Sequence, residues 1–192
     1  MAAAKLTDKV AVVTGAGNGI GRAIARAIAS EGAAVLLADI ALADAEAVGR
    51  EIVDGGGRAL AWHCDVGNGT AVRAMIEGAV ANFGRLDVLV CNAATFSPIT
   101  TVEHMAEADW SHALAINLTG AFLCCKFAIP ALRAGGGGSI ILMASQMARV
   151  ANPGQAAYCA TKGALVQLAK AMALDHVGDN IRVNTLSPGG IA

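Results

Sequence analysis

Charged residues are scarce in this sequence of 192 residues, and neither sign of charge dominates. Asp, Glu, Lys and Arg together make up 15% of the chain, and the formal net charge is −1. Because no block of Lys or Arg occurs, we expect no nucleic-acid partner. The chain is too apolar for intrinsic disorder. Its length predicts a single domain over residues 1–192 with one substantial hydrophobic core.

Long uninterrupted apolar runs are also missing. The uncharged stretches are broken by Gly, Ser, Asn, Thr or Pro, so none supplies the ~20 consecutive apolar residues that a membrane-spanning helix needs. The N-terminal segment MAAAKLTDKV lacks the apolar core of a signal peptide. We therefore expect no membrane partner and a cytoplasmic location.

Recognisable patterns for metal ligands or disulfides are absent as well. The histidines are scattered without paired spacing, at His63, His104, His112 and His176. The cysteines are odd in number, irregularly spaced and without a C-x-x-C pair, at Cys64, Cys91, Cys124, Cys125 and Cys159. We expect no metal, structural or surface roles for the histidines, and free buried thiols in a reducing compartment.

Short β-branched runs alternate with longer Ala-rich helical stretches along the whole chain. The runs that predict strands are Val10–Thr14, Ala34–Asp39, Ala59–His63, Leu86–Cys91, Ser139–Ala144 and Ile181–Leu186. Helical segments are predicted near 19–31, 42–54, 68–83, 103–133 and 155–177. Because the runs are almost continuously apolar, they predict strands that are covered on both faces. The pattern predicts an α/β fold, a Rossmann-like doubly wound parallel sheet in the order 3-2-1-4-5-6 with helices on both faces.

A glycine-rich loop follows the first predicted strand and leads into a helix. Its backbone candidates for contact with a dinucleotide are Gly15, Asn18, Gly19, Ile20 and Gly21. Glycines permit a tight turn and a close approach to pyrophosphate, and the start of the helix favours an anion. The spacing departs from G-x-G-x-x-G at Ile20 and lacks the Gly-Lys-Ser/Thr of a P-loop. A glycine turn without a ligand is the alternative.

Carboxylates end the second and third predicted strands. Asp39 stands where it can accept hydrogen bonds from both ribose hydroxyls of an adenosine, and it would repel a 2′-phosphate. This favours NAD as the cofactor, although Asp39 could instead be an ordinary strand-end or helix-capping residue. Asp65 and Val66 are placed to bracket an adenine. An equal alternative is that Asp65 caps the next helix.

Further polar motifs follow the later strands in a fixed order. They are the Asn92-Ala93-Ala94 element, Asn117, Ser145, Tyr158 with Lys162, and Pro188-Gly189. With these motifs and the T-G-x-x-x-G-I-G loop at 14–21, the sequence resembles the short-chain dehydrogenase/reductase family over essentially its whole length. Each motif alone is weak, but their common order is specific.

The catalytic candidates also support this chemistry on their own terms. Tyr158 and Lys162 are four residues apart, so they share one face of a helix. A nearby ammonium would stabilise a phenolate and lower the phenol pKa. Such a tyrosine can exchange a proton with an alcohol or ketone while hydride moves to or from a nicotinamide, and Ser145 can bond the same substrate oxygen. An exposed helical tyrosine is the alternative for Tyr158.

The resemblance implies further roles for individual residues. Lys162 would also hold the nicotinamide ribose, and Asn117 would support a water that passes protons to Lys162, unless it merely interrupts a helix. Cofactor contacts are implied for Ile40, Asn92, Ala93, Ala94, Tyr158, Lys162, Pro188, Gly189 and Ile191. Substrate-pocket positions are implied for Thr95, Phe96, Gln146, Met147, Asn152 and Gln155. The Ala-rich helices near 103–133 and 155–177 imply a homo-oligomer, with a tetramer favoured.

The resemblance predicts an NAD(H)-dependent oxidoreductase acting on a small-molecule secondary alcohol or ketone. A 3-oxoacyl carrier-protein reductase is one alternative, but these usually use NADPH, which Asp39 opposes. A catalytically silent dinucleotide-binding scaffold is the other, and it would be expected to have lost Tyr158 or Lys162. Family members continue beyond the Pro-Gly element with a substrate lid, a helix and a seventh strand. The given sequence stops at Ala192, before these elements. Either the product is truncated or, as we expect, the sequence is the ordered part of a longer chain.

Overall fold

Six parallel strands form the centre of the computed structural model, which describes residues 4–190. They are β1 (Val10–Thr14), β2 (Ala34–Asp39), β3 (Arg58–His63), β4 (Val88–Cys91), β5 (Gly138–Met143) and β6 (Ile181–Leu186). All neighbouring strands pair in parallel, in the order β3-β2-β1-β4-β5-β6. The predicted doubly wound parallel α/β sheet and its strand order are confirmed.

Most predicted strand ends lie within one residue of the observed ends, but β4 begins at Val88 rather than Leu86. Just before β4, the backbone N–H of Val10 donates to the Asp87 carboxylate at 3.0 Å rather than to a strand carbonyl. Lys9 and Arg85 bond the same carboxylate at 3.1 and 2.6 Å. The side chain of Asp87 therefore adds hydrogen bonds just before β4, while its backbone N–H and carbonyl bond Val10 and Ser139, each at 2.9 Å.

Six α-helices connect and follow the strands. They are α1 (Gly19–Ser30), α2 (Leu42–Asp54), α3 (Gly69–Phe83), α4 (Glu107–Leu114), α5 (Gly120–Ala134) and α6 (Ala156–Asp175). The prediction of one helix near 103–133 is wrong in detail. A 3-10 turn, Val102–His104, precedes α4, and a π-helical turn, Ala115–Thr119, joins α4 to α5.

Helices cover both faces of the sheet. On one face, α1 and α2 pack on the sheet in a cluster that includes Val13, Ala25, Val35, Leu37, Ala45, Val48 and Ile52. On the other face, α3, α5 and α6 pack in a cluster that includes Val12, Leu36, Met75, Leu89, Leu132, Leu142 and Leu165. Burying one such aliphatic side chain contributes about 1.5–3 kcal/mol. The expected burial on both faces holds for the central strands, whereas Arg58, Arg182 and Asn184 on the outer strands are exposed.

The segment Glu107–Ala134 is, by length and composition alone, the one part of residues 4–190 that could cross a membrane. Its residues Cys124, Cys125, Ala128 and Leu132 are buried in the core beside the sheet. These residues place α5 against the core of this fold.

All five cysteines lie within the described residues, and each is a free thiol. Cys64, Cys91, Cys124 and Cys125 are buried between the sheet and α5, while Cys159 on α6 is partly exposed. Burial raises the pKa of Cys64 to about 12, and hydrogen bonds with Cys124 and Cys125 together with burial raise the pKa of Cys91.

Candidate active site

Two adjoining cavities open where β1 and β4 lie side by side. The chain leaves these neighbouring strands towards opposite faces of the sheet, so their carboxyl ends border a crevice, which is the usual ligand position in such sheets. The first cavity has a volume of about 460 Å³ and the second about 420 Å³. They share three wall residues, Ile20, Asn92 and Ala94. A ligand that extends from one cavity into the other would pass these residues.

The glycine-rich loop forms part of the first cavity, and two of its glycines are required by close packing. Gly15 has φ +63°, and a Cβ there would lie 2.9 Å from the Cα of Ala93. A Cβ on Gly21 would overlap the carbonyl oxygen of Gly15 and lie 2.6 Å from Asn92 Nδ2. At Gly19, with φ +50°, no heavy atom lies within 4 Å of such a Cβ. The loop thus packs tightly on the β4 end and leaves space at the start of α1.

Asn92 and Thr14 fasten this loop to the end of β4. The side-chain amide of Asn92 donates to the carbonyls of Thr14 and Gly15, at 3.0 and 3.1 Å. The Thr14 hydroxyl accepts from the backbone N–H groups of Asn92 and Ala93, at 3.0 and 3.1 Å. Since both amide hydrogens of Asn92 are already bonded, this side chain positions the loop.

The start of α1 presents free donors to the first cavity. Arg22 is the first residue whose N–H bonds back into the turn, to the carbonyl of Asn18 at 3.0 Å. The N–H groups of Gly19, Ile20 and Gly21 precede it, where a helix supplies no acceptor. No acidic side chain lies in the first turn of α1. This end of the helix therefore favours an anion such as pyrophosphate.

Asp39 is held rigidly at the wall of the same cavity. Its carboxylate accepts from Gly17 N–H at 2.8 Å and from Ala41 N–H at 3.0 Å. Each oxygen keeps a further lone pair, so both remain able to accept from ribose hydroxyls. The neighbouring Ile40 is 66% exposed and also lines the cavity.

Asp65 and Val66 lie at the wall of the first cavity as well. The Asp65 carboxylate accepts from Gly67 N–H at 2.8 Å, which closes a turn. The start of α3 is capped by Asn68, whose side chain accepts from Thr70 and Ala71. The alternative interpretation of Asp65 as the helix cap is therefore wrong.

The residues present fit a dinucleotide. N–H donors for a pyrophosphate and a fixed carboxylate for a ribose face one cavity, and that cavity continues into a second one. No Lys or Arg is among the described residues that line the first cavity. Its wall instead carries two carboxylates, Asp39 and Asp65.

The three catalytic candidates meet in the second cavity. Ser145, Tyr158 and Lys162 all line it, Ser145 after the end of β5 and the other two on α6. The Ser145 hydroxyl accepts from Met147 N–H at 3.1 Å, which fixes the position of its oxygen. Tyr158 is partly buried.

Lys162 is 3% exposed and is held by the main chain. Its Nζ donates to the carbonyl of Met143 at 2.6 Å and lies 5.5 Å from the centre of the Tyr158 ring. Burial lowers the pKa of Lys162 to about 8, and Cys91 acts in the opposite direction.

The expected lowering of the Tyr158 pKa is not observed. Burial raises this pKa above its ordinary value, and the interaction with Ser145 partly offsets the rise. The reason is that desolvation disfavours the phenolate, and the neighbouring Cys159 acts in the same direction.

Asn117 lies in the π-helical turn, where it is 2% exposed. Its side chain accepts from Thr95 N–H at 2.7 Å and donates to the Thr95 carbonyl at 2.9 Å. It also donates to the Thr161 hydroxyl at 3.4 Å. The backbone stays helical on both sides of this turn, and the side chain of Asn117 faces these partners rather than either cavity. Such π-turns are frequent at functional sites.

Most of the predicted site residues come together around the two cavities. The first is lined by Gly15, Asn18, Ile20, Gly21, Asp39, Ile40, Asp65, Val66, Asn92, Ala93, Ala94 and, contrary to its predicted place in the substrate pocket, Thr95. The second is lined by Ser145, Tyr158 and Lys162 with Phe96, Gln146, Met147, Gln155, Pro188 and Gly189. Gly19, Asn117 and Asn152 line neither cavity. Ile191 lies outside the described residues.

Three further residues line the first cavity although no motif predicts them there: Cys64, His112 and Ile116. His112 and Ile116 are four residues apart, so they face the same side of the helical segment. Ile116 packs near Gly67, beside the turn that Asp65 closes. The spacing was the available signal, but the sequence did not indicate which face meets the cavity.

Comparison with known proteins gives consistent matches. Residues 9–192 match a family model described as short chain dehydrogenase. A D-threitol dehydrogenase of Mycolicibacterium smegmatis is 41% identical over 184 residues, which is 96% of this chain and 70% of that protein. A meso-2,3-butanediol dehydrogenase of Serratia marcescens is 40% identical, over 96% of this chain and 72% of that protein. The crystal structure of a short-chain type dehydrogenase/reductase from Mycobacterium marinum is 37% identical with a TM-score of 0.93, covering 97% of this chain and 74% of that chain.

Proposed function

Because the chain belongs to the short-chain dehydrogenase family, and so to the oxidoreductases, we propose that it interconverts a secondary alcohol and a ketone with NAD(H). The observation that carries the proposal is the meeting of Ser145, Tyr158 and Lys162 in a cavity that adjoins the one bearing Asp39. Residues of both cavities would form one dinucleotide-binding and catalytic domain.

NAD is the proposed cofactor, held along both cavities. The N–H groups at the start of α1 would bind its pyrophosphate, and Asp39 would accept from the adenosine ribose hydroxyls. Asp65 and Val66 would flank its adenine. When bound, the nicotinamide supplies or accepts the hydride.

Tyr158 is the proposed acid and base. In alcohol oxidation its phenolate takes the hydroxyl proton, and in ketone reduction its phenol returns a proton to the carbonyl oxygen. The hydroxyl of Ser145, whose oxygen is fixed by Met147, would donate to the same substrate oxygen and hold it near Tyr158. Lys162 would hold the nicotinamide ribose, and its proton would reach solvent by way of a water near Asn117.

The substrate is proposed to be a small alcohol or its ketone. The relatives are named for D-threitol and meso-2,3-butanediol, which are small hydroxylated molecules. The second cavity offers amide side chains, Gln146 and Gln155, beside apolar Phe96 and Met147, which suits such a molecule. A carrier-protein reductase that uses NADPH is less favoured because of Asp39.

The silent-scaffold alternative predicts no turnover, so turnover tests it directly. NADH formation is measured for the full-length protein with meso-2,3-butanediol, D-threitol and cyclohexanol. Turnover of the Tyr158→Phe variant should fall by about 10²-fold to 10⁴-fold or more. It should still bind NAD in a calorimetric titration, because the lost hydroxyl acts on substrate. Near-native turnover by this variant would contradict the assignment.

We also propose a homo-oligomer, with a tetramer favoured, in a reducing compartment such as the cytoplasm. Trp110, Phe122 and Leu174 on α4, α5 and α6 are 39%, 46% and 79% exposed, which suits helix faces that pack against another copy. Free thiols at all five cysteines suit a reducing compartment. Light scattering on the full-length protein measures the assembly, and a strict monomer would contradict it.

A further inference from the structure

A closed chain of contacts holds Tyr158 from two sides. At one end, the Thr161 hydroxyl donates to the backbone carbonyl of Tyr158 at 2.8 Å. At the other end, the ring of Phe96 stacks on the ring of Tyr158, with centroids 4.8 Å apart and an interplanar angle of 21°. The two ends are joined through the side chain of Asn117.

Asn117 connects these ends because it bonds both of them at once. Its side-chain amide donates to the Thr161 hydroxyl, and it exchanges two hydrogen bonds with the backbone of Thr95. Thr95 is directly followed by Phe96. Asn117 and Thr161 are 2% and 0% exposed, so water cannot replace a lost partner at either residue.

Phe96 itself has little other support. It is 74% exposed, although it lies over a tyrosine that is only partly exposed. An exposed aromatic ring is normally free to move, so its position over Tyr158 depends on the backbone that carries it. That backbone is the segment fixed by Asn117.

We infer that Thr161 is a positioning residue, which acts through Asn117 and Thr95 to keep Phe96 stacked on Tyr158 and so sets the exposure of the phenol. The inference rests on the proposed function for its catalytic meaning. The exposure of the phenol is a property that can be measured without substrate. Since burial raises the pKa of Tyr158, loss of the stack should move this pKa back towards its ordinary value.

The sequence offers a direct probe, because Tyr158 is the only tyrosine of the chain. The ultraviolet absorbance change of phenolate formation therefore titrates Tyr158 alone. Thr161→Val removes the hydroxyl at nearly constant volume, Thr161→Ser restores it, and Phe96→Ala removes the stack. Phe83→Ala, on α3, is a matched aromatic control outside the contact chain. Far-ultraviolet circular dichroism restricts the titration to the pH range in which each variant stays folded.

We expect Thr161→Val and Phe96→Ala to lower the pKa of Tyr158, and Thr161→Ser and Phe83→Ala to leave it unchanged. The Thr161→Val/Phe96→Ala double variant should match Phe96→Ala alone, because both changes interrupt one chain of contacts. An unchanged pKa in Thr161→Val, or shifts that add in the double variant, would overturn the inference.

Turnover separates this inference from the proposed function. Because a lower Tyr158 pKa leaves more phenolate at neutral pH, Thr161→Val should move the alkaline rise of kcat/KM for alcohol oxidation to lower pH, with KM for NAD unchanged and reversal by Thr161→Ser. A wild-type protein without dehydrogenase activity would refute the proposed function, while the tyrosine titration would still decide the inference.

Discussion

The fixed carboxylate of Asp39 predicts a preference between NAD and NADP. Asp39 is fixed by hydrogen bonds from Gly17 and Ala41, so a 2′-phosphate bound at the adenosine ribose would face its charge. No Lys or Arg lines this cavity among the described residues, and Ile40 stands at its exposed edge. We therefore expect the wild-type protein to prefer NAD over NADP.

The size of the preference can be worked out from the charges. At an effective dielectric constant of about 20, two unit charges about 5 Å apart repel by about 3 kcal/mol. Solvent screening at a partly exposed site lowers this, and the missing cation adds to it. A total of about 1.4–4 kcal/mol corresponds to a preference of about tenfold to a thousandfold.

Two substitutions test this reasoning in steps. Ile40→Arg adds a phosphate partner and leaves the bonds of Asp39 intact, so use of NADP should improve several-fold. Adding Asp39→Asn removes the repulsion while retaining an acceptor for the loop, and this double variant should favour NADP. Leu42→Arg, at the start of α2 and outside the cavity wall, is the charge-matched control.

The assay is kcat/KM with NAD and with NADP for the wild type and each variant. Equal use of both cofactors by the wild type would show that Asp39 does not face the ribose. An equal gain from Leu42→Arg would show that overall charge, rather than the site, controls the preference.

Three further predictions concern the two cavities. Because burial raises the pKa of Tyr158, the proton-accepting phenolate is the minor form at neutral pH. We therefore expect kcat/KM for alcohol oxidation to rise by up to about tenfold per pH unit on the alkaline side, and kcat/KM for ketone reduction to stay level below that pKa. A flat pH profile for oxidation would contradict this prediction. Gly21→Ala should weaken NAD binding at least about tenfold in calorimetry, because its Cβ overlaps Gly15 O, whereas Gly178→Ala, in open space, should not. His112 lines the first cavity, so His112→Ala should weaken binding of AMP and NAD about threefold to tenfold and leave binding of nicotinamide mononucleotide unchanged. Equal losses for all three ligands would show that His112 does not act on the adenosine part of NAD.

The sheet was predictable because its signals are local. Runs such as Val10–Thr14 and Ala34–Asp39 are bounded by glycines and polar residues, and their observed ends match the predicted ones. The helix near 103–133 was not predictable in detail. A π-turn at Ala115–Thr119 adds one residue to a turn without altering the apolar composition, so the sequence pattern continues across it.

The site was predictable where one element carries its residues. The Tyr158 and Lys162 spacing fixes a shared helix face whatever the surroundings are. Positions that depend on contact between distant segments were not predictable. Thr95 reached the first cavity because Asn117 holds its backbone, and the pKa of Tyr158 depends on how deeply the phenol is buried. Neither quantity is encoded in spacing along the chain.

The burial of four thiols makes the protein convenient to label. A thiol reacts as the thiolate. Burial raises the pKa of Cys64, and hydrogen bonds with Cys124 and Cys125 together with burial raise the pKa of Cys91, so alkylating reagents react slowly with these thiols. Cys159 is the partly exposed one and immediately follows Tyr158 in α6. A fluorophore attached to the natural sequence would thus concentrate at one position on the helix of the proposed acid and base. Its emission would report ligand entry without removal of any other cysteine.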